Sequence, residues 1–297
     1  MKLKIIEEKF FLVICIAATV FSSAMLFLIV GKIGIEALPS LTWYFITTAE
    51  VDTPGLGQGI ANAIMGTVLI SVLSTVLATP LGVATAIYLQ KYAPENNITK
   101  AIRFLIEVLS GTPSIVLGIF GLLVLVFYLK PYTGGFSLIA GSIALTILIV
   151  PVIERAAEDA IARVLKDIEE GSYALGATKW DTIRNISLPI AMSGIVTGAI
   201  LGFGRAAEES AVVILTAGYS QFMPEWTVRA NEKLLFGIKI YPLQDLVGTL
   251  PYSVYHAYEH SNVIPVSNAF AAAFVLIVIV LLVNLTAKII LWKYGHD

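Results

Sequence analysis

Three ionisable residues stand in an apolar stretch where charge is costly. Arg205, Glu208 and Glu209 fall inside the run from Pro189 to Ala217. A charge on a helix at mid-bilayer costs roughly 2.5–3.5 kcal/mol on insertion scales, so such groups need partners or water. Helical spacing puts both acids within reach of the guanidinium, Glu208 at i+3 and Glu209 at i+4. An ion pair that only seats this helix against a neighbour is one reading. Gly194, Gly198 and Gly202 support it, because a small residue every fourth position allows close helix approach. The other reading makes the cluster part of a translocation path or gate. The planar fork of arginine suits an oxyanion, and acids beside it would keep a transit site from becoming a trap. Ser110, Thr112 and Ser114 flank Pro113 and could add hydroxyl donors, although such residues more often serve helix packing.

Other chemistry is thinner. His256-Ala257-Tyr258-Glu259-His260 matches the H-x-x-E-H pattern of some zinc peptidases. A catalytic zinc needs a third protein ligand; the remaining histidine, His296, is expected on the opposite side of the membrane. No metal site is therefore expected. G-x-x-x-x-G-K-[ST] is absent, so the chain is not expected to bind ATP, and G-x-S-x-G is absent too. Cys15 is the single cysteine, which excludes a disulfide within the chain.

The elements that must position these residues are membrane helices. Of 297 residues 57% are hydrophobic and 13% are charged, against about a quarter charged in soluble domains. The net charge of −2 argues against a nucleic-acid partner. Six segments are long and apolar enough to span a bilayer, at about 10–30, 60–89, 104–129, 136–153, 189–217 and 267–287. The first is longer than a signal-peptide core and is expected to be retained. Pro80 and Gly111-Thr112-Pro113 predict kinks in the second and third. With the N-terminus inside, inner segments hold 13 Lys and Arg against 5 outside, which places both termini in the cytoplasm. The chain reads as one all-α permease-like domain, 1–297. The outer 218–266 connection suggests short surface helices, for example over Leu246 to Tyr255.

The inner connection, 154–188, is rich in both signs of charge. Ile161, Val164, Leu165 and Ile168 repeat at helical spacing. Gly176 suits a chain reversal, and a second amphipathic run follows from Thr178 to Ile186. Ser187 then caps the fifth span, with Pro189 in its first turn. A connector resting on the membrane through Trp180 and a docking element for a soluble partner fit this pattern about equally.

One more spacing bears on the choice. Glu170-Gly171-Ser172, Gly176, Ile186 and Leu188-Pro189 resemble the cytoplasmic motif of ABC importer permeases, with every interval kept. That motif is Glu-Ala-Ala, three residues, Gly, nine residues, Ile, one residue, Leu-Pro; here small Gly171 and Ser172 replace the alanines. Gly204-Arg205-Ala206-Ala207-Glu208-Glu209-Ser210-Ala211 resembles the Gly-Arg-Ala-Ile-Gly-Glu-Thr-Ala signature of phosphate-import permeases of the PstA type. So do Ala174-Leu175-Gly176-Ala177-Thr178-Lys179-Trp180, Thr112 to Gly118, and Pro80-Leu81-Gly82 through Tyr88-Leu89. The likeness covers roughly 60 to 290. Ala207, Glu208, Ser210 and Val212 depart from it.

The resemblance implies a six-span type I importer permease in the cytoplasmic membrane that moves inorganic phosphate. It implies an ABC ATPase dimer carrying ATP and magnesium, and no cofactor on this chain. A second permease subunit, related or identical, and an extracytoplasmic solute-binding protein complete the implied complex. Glu170, Gly171, Ser172, Ala174, Leu175, Gly176, Ala177, Thr178 and Trp180 are then the residues that couple to the ATPase. The alternatives are an importer of molybdate, tungstate or sulfate, an ATP-independent transporter or channel, and, furthest off, a membrane hydrolase.

Overall fold

The computed structural model describes residues 2–231, 234 and 237–294; His296 lies outside them. Helix α1 (Lys2–Ala37) is followed by α2 (Trp43–Thr47), α3 (Ala61–Ile87), α4 (Asn97–Gly111), α5 (Ser114–Gly121), α6 (Lys130–Thr133) and α7 (Leu138–Ala162). Then come α8 (Lys166–Ala174), α9 (Lys179–Thr182), α10 (Leu188–Glu208), α11 (Ala211–Thr216), strands β1 (Val228–Ala230) and β2 (Ile238–Ile240), α12 (Leu250–Glu259) and α13 (Val266–Tyr294). Wide π-type turns extend α3 to Tyr92 and α5 to Tyr128, and join α9 to α10. Among the described residues five helices are long and apolar enough to cross a membrane: 9–37, 61–92, 138–162, 179–208 and 266–289.

Four expectations need correction. The third segment is not one kinked span over 104–129. Instead α4 meets the α5 segment at 100° across Thr112-Pro113, and the pair counts as a sixth span only if taken together. Proline forces the residue before it out of the helical region, so Thr112 sits at φ −74, ψ 129 and the helix stops there. The fifth segment ends at Glu208, not 217: Glu209 is extended and α11 restarts at Ala211. The fourth segment does not end at 153. Here α7 continues to Ala162, with Glu154, Ala157, Glu158 and Ile161 buried along one stripe.

Ser187 is also not a cap. It has helical angles and makes no capping bond, and the helix runs unbroken from Lys179 to Glu208. The cap is Thr178, in a capping box with Asp181. The wide turn over Ile183–Ser187 precedes Pro189, whose ring would crowd the carbonyls of a regular turn.

The core lies where α3, α7 and α10 meet. Leu145, Ile149 and Ile153 of α7 are fully buried. The glycine ridge of α10 faces α7: a Cβ on Gly198 would stand 2.6 Å from Ala156 Cβ, and one on Gly194 2.4 Å from Ala160 Cβ. α5 packs against α11, and α1 against α13, with residues 9–29 of α1 exposed all round. At one end of the bundle lie α8 and α9; at the other, α12 and the β1–β2 hairpin, where Val228 pairs with Ile240. The short surface helix foreseen near Leu246–Tyr255 is α12; no pattern in the sequence suggested the hairpin.

Candidate functional site

At the reversal end, α8 and α9 are two arms of a turn at Gly176. Its φ is +86°, a region L side chains rarely adopt. The N–H groups of Gly176 and Ala177 donate to Tyr173 O and Ser172 O at 2.9 and 3.2 Å, which closes α8. Ser172 is buried, and its hydroxyl shares a 2.9 Å hydrogen bond with that of Thr182 across the arms. Glu170, Gly171, Ala174, Leu175, Thr178 and Trp180 are exposed, and Ala177 partly so. A Cβ on Gly171 would meet nothing within 4 Å, so its small size answers to no contact within the described chain. The nine residues therefore divide. Ser172, Gly176 and Thr178 build the turn, and the others present a surface on which Leu175 is 92% and Trp180 54% exposed.

Behind the turn is a carboxylate that sequence reasoning passed over. Glu169 accepts hydrogen bonds from Lys91 Nζ at 2.5 Å and Ser187 Oγ at 2.6 Å. Burial pushes its carboxyl up, but the donors Lys91 and Ser187 outweigh that and hold it below the usual carboxylate range. Nothing local in the sequence links residues 78 positions apart.

Two clefts lie along the face where α7 meets α10. The larger, about 550 Å³, is lined by Arg103, Glu107 and Ser110 of α4, by Glu154, Arg155, Glu158 and Asp159 of α7, and by Leu201. Glu158 pairs with Arg103 and accepts from Gln90 Nε2 at 2.9 Å. Glu154 is 1% exposed, and its Oε1 has no hydrogen-bond partner among the described residues. The stripe Glu154, Ala157, Glu158, Ile161 carried the signal for this site, but its two acids made it look solvated.

The second cleft, about 360 Å³, is lined by Arg205 and Glu208 with Gly204, Asn284 and Val280. Val152 and Leu201 line both clefts and so divide them. Arg205 Nη2 lies 3.3 Å from Glu209 Oε2. Glu209 is buried, and its Oε1 accepts the N–H of Ala211 at 3.1 Å, so one carboxylate ends the α10 ion pair and starts α11. Glu208 has no ion pair among the described residues. Ser110 lines the larger cleft; Thr112 and Ser114 line neither, and the Thr112 hydroxyl donates to Val108 O of its own helix at 2.7 Å.

At the hairpin end Glu50 is buried. It accepts from Gly57 N–H at 2.8 Å and from the hydroxyl of Tyr219. Burial pushes its carboxyl up, only partly offset by the Gly57 N–H. Tyr219 stacks on His256 at 5.2 Å and lies 4.5 Å from the Tyr252 ring. Of the H-x-x-E-H residues, His256 and Glu259 lie on α12, and His260 caps its end with non-helical angles. His256 is engaged in this aromatic stack, and among the described residues no group of three His, Cys, Asp or Glu is placed to hold a metal.

The whole is a polytopic helical membrane protein with an exposed reversal at one end and polar clefts along its packed face. A family model, the binding-protein-dependent transport system inner membrane component, matches residues 78–291, and the chain belongs to that family. It is 40% identical over 197 residues to the probable ABC transporter permease protein YqgI of Bacillus subtilis, a match that covers 66% of this chain and 65% of that one. Over longer stretches it is 32% identical to the phosphate transport system permease protein PstA 2 of Mycobacterium bovis, covering 94% of this chain and 85% of that one. With the PstA protein of Yersinia pestis the identity is 30%, covering 98% and 92%. Its fold is similar to that of a bacterial ABC transporter involved in alginate import, with a TM-score of 0.63 at 14% identity, covering 94% and 95%. The inward-facing MetNI methionine transporter gives a TM-score of 0.60 at 18% identity, covering 79% and 95%.

Proposed function

We propose that this chain is the permease subunit of an ATP-driven importer of inorganic phosphate, set in the cytoplasmic membrane with both termini inside. The observation that carries it is one continuous helix, residues 179–208, with the motif-bearing reversal at its start and Arg205 near its end. Relatives named phosphate transport permeases, similar over nearly the full length, support phosphate as the substrate.

In this reading ATP and magnesium sit on a partner ATPase dimer, which seats Leu175 and Trp180. A second permease, related or a second copy, completes the membrane part, and an external binding protein delivers the anion. ATP binding closes the ATPase dimer and moves residues 170–188. The anion then passes along the α7–α10 face, from the fork of Arg205 past Val152 and Leu201 to Arg155 and Ser110. Glu208 shortens its stay by repulsion.

Uptake of radiolabelled phosphate into vesicles holding the chain with its co-purifying partners tests this, with and without ATP. ATP-dependent uptake that resists molybdate, tungstate and sulfate is the expected result. The competing reading is an importer of one of those oxyanions. It is favoured by Glu208, an acid in the Arg205 cleft where the signature it resembles has glycine. Exclusion of phosphate with transport of a competitor would establish it instead.

A further inference from the structure

Helix α8 is joined to the bundle through polar bonds rather than through apolar side chains of its own. α8 buries only Glu169 and Ser172. None of its side chains belongs to an apolar cluster of the described residues. Glu169 instead takes a hydrogen bond from Lys91, at the end of the α3 extension, and one from Ser187, just ahead of α10. Ser172 reaches Thr182 on the second arm. Apolar burial is non-directional and permits sliding. Charge-assisted hydrogen bonds fix both distance and angle. A displacement of α8 therefore reaches two spanning helices at once, through a single carboxylate.

We propose that Glu169 is a positioning residue for transport, which with Lys91 and Ser187 transmits movement of the reversal to α3 and α10. This rests on the reading of the chain as an ATP-driven permease. Glu169 faces inward while Glu170, Tyr173 and Leu175 are exposed, so it acts without touching a partner. The side chains of Lys91 and Glu169 are only 15% and 12% exposed, so solvent screens the pair weakly.

The test is phosphate moved per ATP hydrolysed, in vesicles holding the complex that co-purifies with this chain and supplied with its binding protein. In Glu169→Gln and in Lys91→Met, ATP hydrolysis per assembled complex stays within about twofold of wild type. Phosphate moved per ATP falls about tenfold, the factor that 1.4 kcal/mol of lost bonding produces. The exchange Lys91→Glu with Glu169→Lys recovers most of the ratio, which a loss of packing alone would not allow. An unchanged ratio in both single variants overturns the proposal, and so does an exchange that recovers nothing. Should a charge variant fail to assemble, Ser187→Ala removes one bond and leaves the ion pair; a smaller drop in the ratio supports the proposal and an unchanged ratio overturns it. A wild-type complex without ATP-dependent phosphate uptake sinks the phosphate-importer reading and the proposal with it. Wild-type uptake with no change in any variant sinks the proposal alone.

Discussion

Glu169 at the reversal end and Glu50 at the hairpin end are both buried carboxylates that tie distant segments together. Their donors differ. Glu169 has an ammonium group and a hydroxyl, Glu50 a backbone N–H and a phenol. A cation offsets the loss of hydration on burial and neutral donors do so only in part, so one carboxyl is held down and the other is pushed up. The same residue type thus makes an ionic joint at one end and a largely neutral one at the other. Where α7 meets α10 the bundle instead sets glycine against alanine at close range.

The largest way to break this contrast is Gly176→Val. A β-branched residue at φ +86° is strained by about 1–3 kcal/mol, and nothing nearby is displaced to share it. ATP-dependent uptake should fall to background while the inserted bundle keeps its melting temperature. Normal uptake in an assembled Gly176→Val complex would falsify the role given to the reversal. Gly198→Leu should show the opposite profile. Its side chain would drive into Ala156, an overpacking worth roughly 1–3 kcal/mol, so thermal stability in detergent drops first. If Gly198→Leu melts like wild type, the α7–α10 approach is looser than described.

The two carboxylates should also give pH slopes of opposite sign. Glu169 is held below the ordinary glutamate value, so its stabilisation is present at neutral pH and fades as pH falls through the depressed value. The melting-temperature gap between wild type and Glu169→Gln should close on acidification. Glu50 is held above that value, so the folded protein loses stability as pH rises from the ordinary glutamate range to the raised one. Wild type should therefore weaken relative to Glu50→Gln as pH rises over that window. Slopes of the same sign would remove the distinction between the two ends. The smallest effect is Thr178→Ala, which loses the capping box and about 1 kcal/mol. It should fray the start of α9, read as faster amide exchange at Lys179–Thr182, without disturbing the hairpin end.

Much of this was legible in the chain because apolar runs report lipid-facing helices directly. The reversal was legible at Gly176, a residue suited to a turn, and its spacing to Leu188-Pro189 was legible only through the resemblance to importer permeases. The break at Thr112-Pro113 was visible as a proline, but whether a proline bends a helix or ends it depends on what packs around it. Glu154 and Glu158 were not singled out in the sequence; Arg103 and Gln90, from other helices, make burial of Glu158 tolerable, and those partners are 55 and 68 positions away. The Lys91–Glu169 and Tyr219–Glu50 joints span 78 and 169 positions. Such pairings exist only in the folded chain.

The continuous helix from Lys179 to Glu208 has a mechanical consequence. Its 30 residues make a rod of about 45 Å, longer than the ~30 Å of hydrocarbon it must cross. It bears on α7 along the ridge Gly194, Gly198 and Gly202, where an added Cβ would stand 2.4, 2.6 and 2.9 Å from α7 side chains; Gly198 is the middle of that ridge. Trp180 lies about 27 Å from that fulcrum on one side and Arg205 about 10 Å on the other, at 1.5 Å per residue. If the chain works as the proposed permease, rocking about Gly198 would reduce a given shift at the reversal to a little over a third of its size at Arg205, with force multiplied in the inverse ratio. Such a lever suits a machine that turns a large, weakly resisted swing in water into a short, strongly resisted step inside the membrane.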